Sequence, residues 1–448
     1  MSRTPASTAL RWVACASLAS AAPCLSACDV DNAGVVPPPD TLNFPVVVAV
    51  TPETDGRQFL LVGSANFDVR YNAGALHSFD LAALRGAIAG CAEPPCTFED
   101  LSGFIVSEVL VGSYTSGMAL SPRGDRVYLA VRSDVDLSWI DLDPASGALS
   151  CEGSGQPQSC APRRRTTEVS STCGRTPVLS GDPVGVFAGD VEALTGEPSD
   201  LDYVVMVHRN GRASLYLDRV VGGAPEPVLV HTTDGLPFDI TNVSYEPESR
   251  LVWTHSASAF PNRLTRELGF VGVAIDPADP ECSSAFSAGR LPLRGVDDGL
   301  DTRDSAFSAD GSRAFVLARR PEAIVTLDLD DAPLFPGEAA IDRISHVGYG
   351  PSRLERVDVE GGRTVLAATC FDDRKVWFVD ADTGATAGVV PGFAGPYELA
   401  VDTVGQIVWV VDFRDSVLRA IDYRPLASGE PPELVATFGR VRPVQVLR

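Results

Sequence analysis

The stretch Asp304–Asp330, DSAFSADGSRAFVLARRPEAIVTLDLD, decides how the chain is read. It carries three short apolar runs, Ser305–Phe307, Ala314–Ala318 and Ile324–Leu329. Ala309-Asp310-Gly311 separates the first two, and Asp-Gly between apolar runs is the strongest short-range signal of a hairpin. The third run closes on an aspartate. The stretch therefore predicts three consecutive antiparallel strands.

The unit recurs. An apolar residue followed by aspartate ends a run at Phe79-Asp80, Ile140-Asp141, Leu217-Asp218, Ile275-Asp276, Leu327-Asp328, Val379-Asp380 and Ile421-Asp422. A second apolar run precedes each: Phe59–Val62, Val127–Val131, Tyr203–Val207, Leu251–Trp253, Ala314–Leu317, Thr364–Ala367 and Ile407–Val411. Those aspartates lie 42 to 77 residues apart. Repeats of several strands at such periods point to a propeller rather than a solenoid. The expected fold is all-β, a seven-bladed β-propeller of four-stranded antiparallel blades over residues 45–448. The uneven spacing is assigned to insertions, Ala82–Gly103 in blade one and Ser150–Gly181 after blade two. Each aspartate is expected to accept from the backbone amide two residues on and close the turn into the fourth strand. Arg442–Arg448 reads like the entrance to a first strand and is expected to lie against blade one, closing the ring.

Composition agrees and excludes some partners. Of the 448 residues, 45% are hydrophobic and 21% charged, ordinary for a globular protein, and helix-period patterns are nearly absent. The formal net charge is −23, and Lys375 is the sole lysine. Nucleic acid binding needs clustered positive charge, so no nucleic-acid partner is expected. The basic run Arg163-Arg164-Arg165 reads as a solvated loop.

Residues 1–27 have the form of a leader. Arg3 and Arg11 precede the small apolar run Trp12–Ala22, which is too short to span a membrane. Leu25-Ser26-Ala27-Cys28 then resembles the lipobox of bacterial lipoproteins. The resemblance implies cleavage before Cys28 and lipid on its thiol, with the membrane as a partner through that anchor. Residues 28–44, with Pro37-Pro38-Pro39, read as an extended tether. The implied location is the bacterial cell envelope, lipid-anchored to the inner or outer membrane, with the domain outside the cytoplasm. Removing Arg3 and Arg11 takes the charge from −23 to −25.

Such a compartment permits disulfides. Cys91 with Cys96, and Cys151 with Cys160, are close in sequence within the two insertions and are expected to pair. Cys173, Cys282 and Cys370 are left unassigned, Cys370 reading as a buried small hydrophobe. No metal is expected. The cysteines lack zinc spacing, and His77, His208, His231, His255 and His346 are scattered. Asp297-Asp298-Gly299-Leu300-Asp301 lacks the full calcium-loop pattern and reads as a solvated turn.

Val376-Trp377-Phe378-Val379-Asp380-Ala381-Asp382-Thr383-Gly384, followed by Val389-Val390, resembles the repeat of the YVTN/lactonase-like seven-bladed propellers. Trp139-Ile140-Asp141 with Ser146-Gly147 resembles a second copy. Ser308-Ala309-Asp310-Gly311 and Ser121-Pro122-Arg123-Gly124 resemble the turn after the first strand of those repeats. The matching positions are structural, so the resemblance implies architecture and carries over no catalytic residue.

No nucleophile elbow, zincin motif, P-loop, dinucleotide fingerprint or haem attachment motif is present, and no cofactor is expected. Propeller ligands usually meet the entrances of the first strands. Polar residues placed there are Asp239, Arg303, Asp304, Arg353, Glu355 and Glu398, a candidate ligand ring. Two functions follow. One is a lipid-anchored, non-catalytic scaffold that binds an envelope protein or polymer, with the insert Ser150–Gly181 expected to carry the contact and the channel charges dispensable. The other is a lactonase-like or other hydrolase with its site at the channel mouth.

Overall fold

The computed structural model describes residues 34–133, 137–151, 155, 157–160, 172–174, 177–219, 226–257, 267–292, 301–329 and 340–441. Cys28, the arginine run at 163–165, most of the acidic loop at 297–301 and the end at 442–448 lie outside them. The chain divides into Met1–Val35 and Val36–Arg448, and the architecture below is that of the second part. No helix among the described residues is long and apolar enough to cross a membrane.

The described strands form seven separate sheets. In blade five, Thr302–Phe307, Arg313–Arg319, Glu322–Asp328 and Ala340–His346 pair in sequence order, each antiparallel to the next. The turn behind Asp310 works as its sequence requires. Gly311 takes φ +69°, a conformation open to glycine without steric cost. Ser308 Oγ accepts from Arg313 N at 2.9 Å. Blade two repeats the device, with Gly124 at φ +72° and Ser121 Oγ accepting from Arg126 N at 3.0 Å.

The middle strands read as continuous apolar runs because both faces are covered by neighbouring blades. In Arg313–Arg319, Ala314, Val316 and Ala318 pack with Trp253 and Phe270 of blade four. The alternating residues Phe315 and Leu317 pack instead with Leu354 and Leu366 of blade six. One two-residue period thus feeds two cores. The ring closes the same way, with Leu60, Val62 and Phe79 of blade one packing against Trp409, Leu418 and Phe438 of blade seven.

Blade one (Pro45–Val50, Phe59–Ser64, Gly74–Asp80, Ile105–Val111) and blade seven (Pro396–Asp402, Ile407–Asp412, Val417–Asp422, Glu433–Phe438) each draw four strands from one continuous stretch. Each also gains a fifth. Cys96–Phe98, from the insertion in blade one, pairs parallel to Glu433–Phe438, and Phe98 stacks on Phe438 at 4.9 Å. Gln158–Ser159, from the insertion after blade two, pairs parallel to Ile105–Val111. Each insertion reaches back to the preceding blade and covers an outer edge that would otherwise be free to pair.

Four features differ from the sequence reading. Blade three has a first strand, Pro183–Asp190, that the reading did not assign. Blade four has a fourth strand at Ser284–Pro292. Helix α1, Leu81–Ala89, lies in the insertion of blade one, and α2, Val191–Thr195, follows the first strand of blade three. The aspartates also divide. Asp276, Asp380 and Asp422 accept from backbone amides in the turns that follow. Asp80 does so as the N-cap of α1, accepting from Ala82 N and Ala83 N. Asp141 and Asp218 instead bind Arg126.

Cys91–Cys96 and Cys151–Cys160 are bonded, and so is Cys173–Cys282, which ties the second insertion to blade four. Cys370 is free and buried, and burial pushes its thiol up to about 12. Non-reducing peptide mapping should therefore return those three pairs. Cys370 should resist a thiol reagent until the protein is unfolded. Rapid labelling of Cys370 under native conditions would contradict its place in the core.

Candidate functional site: the channel and its mouth

The first strand of every blade lines a central cavity of about 390 Å³. On one side the wall is small and apolar. A Cβ on Gly117 would lie 3.0 Å from Gly185 Cα, so these inner strands approach through glycine. On the other side blades five, six and seven contribute Asp304, Arg353, Glu355 and Glu398. Four of the six residues named from sequence thus share one cavity.

These groups are held by one another and by the frame. Arg353 is 5% exposed, and its Nε donates to Glu398 Oε2 at 2.7 Å. Asp304 Oδ1 accepts from Asn242 Nδ2 at 3.0 Å, Ser244 Oγ at 2.8 Å and Ser305 N at 3.0 Å. Its Oδ2 accepts from Leu354 N at 3.1 Å. Burial pushes the Asp304 carboxyl up, while Arg353 and these donors pull it down. Glu355 has its side chain open to the channel lumen but walled by protein. That confinement, with Asp304 and Glu398 nearby, pushes it up to about 8. Glu398 is pushed up to about 7 by burial, against the pull of Arg353. Burial works against the charge of Arg353, but Glu398, Tyr397 and Asp304 outweigh it, and its pKa rises.

Ser244 sits between an acid and a base. Its Oγ is 3.0 Å from His255 Nε2 and 2.8 Å from Asp304 Oδ1. The residue types are those of a nucleophilic triad, but the order is not. In such a triad the acid touches the histidine and leaves the serine free to attack. Here acid and histidine both bind the serine, and Ser305 N donates to the same oxygen at 3.0 Å. His255 is fully buried, which pulls it down to about 3 and keeps it neutral. The arrangement braces blade four against blade five.

A second cavity of about 460 Å³ lies where the first strands begin, with Arg353 lining both. Its wall includes Arg132, Arg209, Arg303, Arg320 and Asp301. Arg303 pairs with Asp301 at 3.0 Å. Asp239 pairs with Arg209 at 3.4 Å at the rim. An apolar recess of about 200 Å³ shares Ser116, Arg132 and Tyr397 with this cavity and is walled by Phe67, Tyr114, Phe371 and Phe413.

The sequence reading missed Asn242, Ser244 and His255, because Asp304, the acid around which they gather, belongs to the next blade. It also missed the arginine and aromatic walls. A signal for these was present. The residue after the second strand is Arg132 in blade two, Arg209 in blade three, Arg320 in blade five, Phe371 in blade six and Phe413 in blade seven, with alanine in blades one and four. Aligning the repeats on that position would have drawn the mouth.

Among solved structures the chain is similar to Kuenenia stuttgartiensis hydrazine synthase. The TM-score is 0.54 and the identity 11%, over 85% of this chain and 96% of that one. That likeness shows the fold. At 11% identity it assigns no residue a role. No protein-family model matches the sequence, and no curated protein does.

Proposed function

We propose that the chain is a lipid-anchored, cell-envelope propeller of the YVTN/lactonase-like kind. It acts as a non-catalytic binding protein that takes an envelope partner or polymer at the channel mouth. The observation that supports this most is the bonding around Asp304. Its carboxylate is committed to Asn242, Ser244, Ser305 and Leu354, and Ser244, the serine that lies between this acid and a histidine, is committed to both neighbours. Catalysis needs a nucleophile or base free to meet a substrate. These groups stabilise blade contacts instead. The described part of the second insertion also serves the frame, since Cys151 and Cys160 are buried and Gln158–Ser159 extends blade one. This moves the proposed contact from the insertion to the mouth.

The hydrolase reading is kept alive by the residue types at Ser244, His255 and Asp304. A screen of lactones and esters with the full chain separates the two. The binding reading expects no turnover above that of the Ser244→Ala variant. Turnover that Ser244→Ala or Glu355→Gln abolishes would transfer the protein to the hydrolases. A pull-down from native membranes should recover a partner in parallel.

The anchor has its own test. Labelled palmitate should enter the wild-type protein expressed in a bacterial host and should not enter Cys28→Ser. Wild-type protein without label, or a mature terminus elsewhere, would contradict lipidation.

A further inference from the structure

We propose that the channel mouth is a binding site for a ring-bearing carboxylate, an aromatic group joined by a short link to a carboxylate. The inference deepens the binding reading above and rests on it for the place of the site.

The first observation is the division of the mouth. The position after the second strand is arginine in blades two, three and five and phenylalanine in blades six and seven. The same position is alanine in blades one (Ala65) and four (Ala257), so the mouth carries arginine on three blades and phenylalanine on two neighbouring ones. Arg132 and Tyr397 line both cavities, so the two surfaces meet without a gap.

The second observation is charge. The whole chain carries −23, yet this cavity gathers Arg132, Arg209, Arg303, Arg320 and Arg353 around one lining acid, Asp301. Arg320 is exposed and has no ion pair among the described residues. The pairs of Arg132 with Asp182 and of Arg209 with Asp239 are open to solvent. Exposed pairs are weak, so both arginines are free to exchange a carboxylate of the frame for one of a ligand. Planar guanidinium groups match carboxylates through paired hydrogen bonds.

The third observation is size. The aromatic recess, about 200 Å³, is smaller than a usual small-molecule site, and the arginine cavity beside it is about 460 Å³. The recess therefore takes part of a ligand and the arginine cavity takes the rest. Phe67 is 57% exposed at its edge and makes edge contacts with Tyr114 at 6.0 Å and Phe413 at 5.5 Å. Such walls favour a flat ring in edge or offset contact. A cationic ring is disfavoured, because Arg353 already lies 5.4 Å from the Tyr397 ring and Arg414 4.4 Å from the Phe371 ring.

The test is calorimetric titration of the full chain in detergent with 3-phenylpropionate, its neutral amide, and acetate. The acid should bind at least about tenfold more tightly than the amide or acetate, since each control lacks one half of the recognition. Arg320→Ala and Phe67→Ala should each weaken the acid by about tenfold with unchanged thermal unfolding. Both side chains are exposed, so neither change is expected to disturb the fold. Two short peptides ending in phenylalanine, one with a free and one with an amidated carboxyl, identify the source. Binding of the free-carboxyl peptide at least as tight as that of 3-phenylpropionate assigns the site to a protein C-terminus. Weaker binding assigns it to a free acid. Equal binding of acid and amide, binding unchanged in both variants, or no binding of the acid would overturn the proposal. Failure of the non-catalytic reading would appear separately, as turnover in the hydrolysis screen.

Discussion

Asp218→Ala is expected to lower the stability of the folded protein by about 3–5 kcal/mol, the usual effect of removing one partner of a buried ion pair. Asp218 is 1% exposed, at the end of the third strand of blade three. Its two oxygens accept from Arg126 Nη1 at 2.6 and 2.7 Å, and Oδ2 also accepts from Tyr128 OH at 2.6 Å. Both donors belong to the second strand of blade two. Arg126 lies 4.3 Å from the Trp139 ring and also bonds Asp141 at 3.0 Å. Without Asp218 a buried guanidinium keeps only the partner at its rim, and a buried phenol loses its acceptor. Asp218→Asn, which retains an oxygen in place, should lose less. Urea unfolding followed by intrinsic fluorescence measures both. A loss under about 1 kcal/mol for Asp218→Ala would mean that this buried cluster adds little to the contact between blades two and three.

The second large effect is expected at Arg353, and it depends on pH. Glu398 and Glu355 sit at about 7 and about 8, above the ordinary 4.5. Between those values the folded protein holds protons that the unfolded chain has released. Their contribution to stability is therefore complete below about pH 4.5 and is lost as pH rises through 7 and 8. Arg353→Met removes the cation that opposes the shift of Glu398 and moves that carboxyl further up, while Glu355 keeps Arg356 as its opposing cation. Near pH 8.5 the variant should lose about 3–5 kcal/mol, because buried Glu398 loses its ion-pair partner and Asp304 keeps only neutral donors. Near pH 5.5 the loss should be clearly smaller, because protonation of Glu398 removes its charge. Denaturation of wild type and variant at the two pH values is the measurement. Equal losses at both would show that Arg353 acts through packing rather than charge.

Much of the frame was legible because the propeller repeats its rules. The Asp-Gly turn at Asp310 and the apolar second strands each carry a local physical signature, and all seven second strands were found from it. Strand Pro183–Asp190 escaped because its one apolar run, Val186–Ala188, is only three residues long and is bounded by Gly185 and Gly189. Helix α1 escaped because the repeat led Asp80 to be read as a turn residue, although Leu81, Leu84 and Ile88 mark one helical face behind it. The channel was half legible. Asp304, Arg353, Glu355 and Glu398 could be placed from the position of their strands. Ser244 and His255 could not, since nothing local links them to an aspartate sixty residues on in the next blade. Asp141 and Asp218 show the limit from the other direction. They have the same sequence pattern as Asp422, but Arg126 lies within reach of both.

The strand Cys96–Phe98 bears on how the ring shuts. A hairpin brings together residues a few positions apart, whereas Phe98 and Phe438 are 438 − 98 = 340 positions apart. Joining ends that far along a flexible chain costs about 4 kcal/mol more in conformational entropy than closing a six-residue turn, by the logarithmic dependence on loop length. That excess falls on a single seam, between blades seven and one, while every other blade meets its predecessor at short range. The first blade therefore holds out an extra strand to the last, and the ring is fastened where chain statistics would open it first.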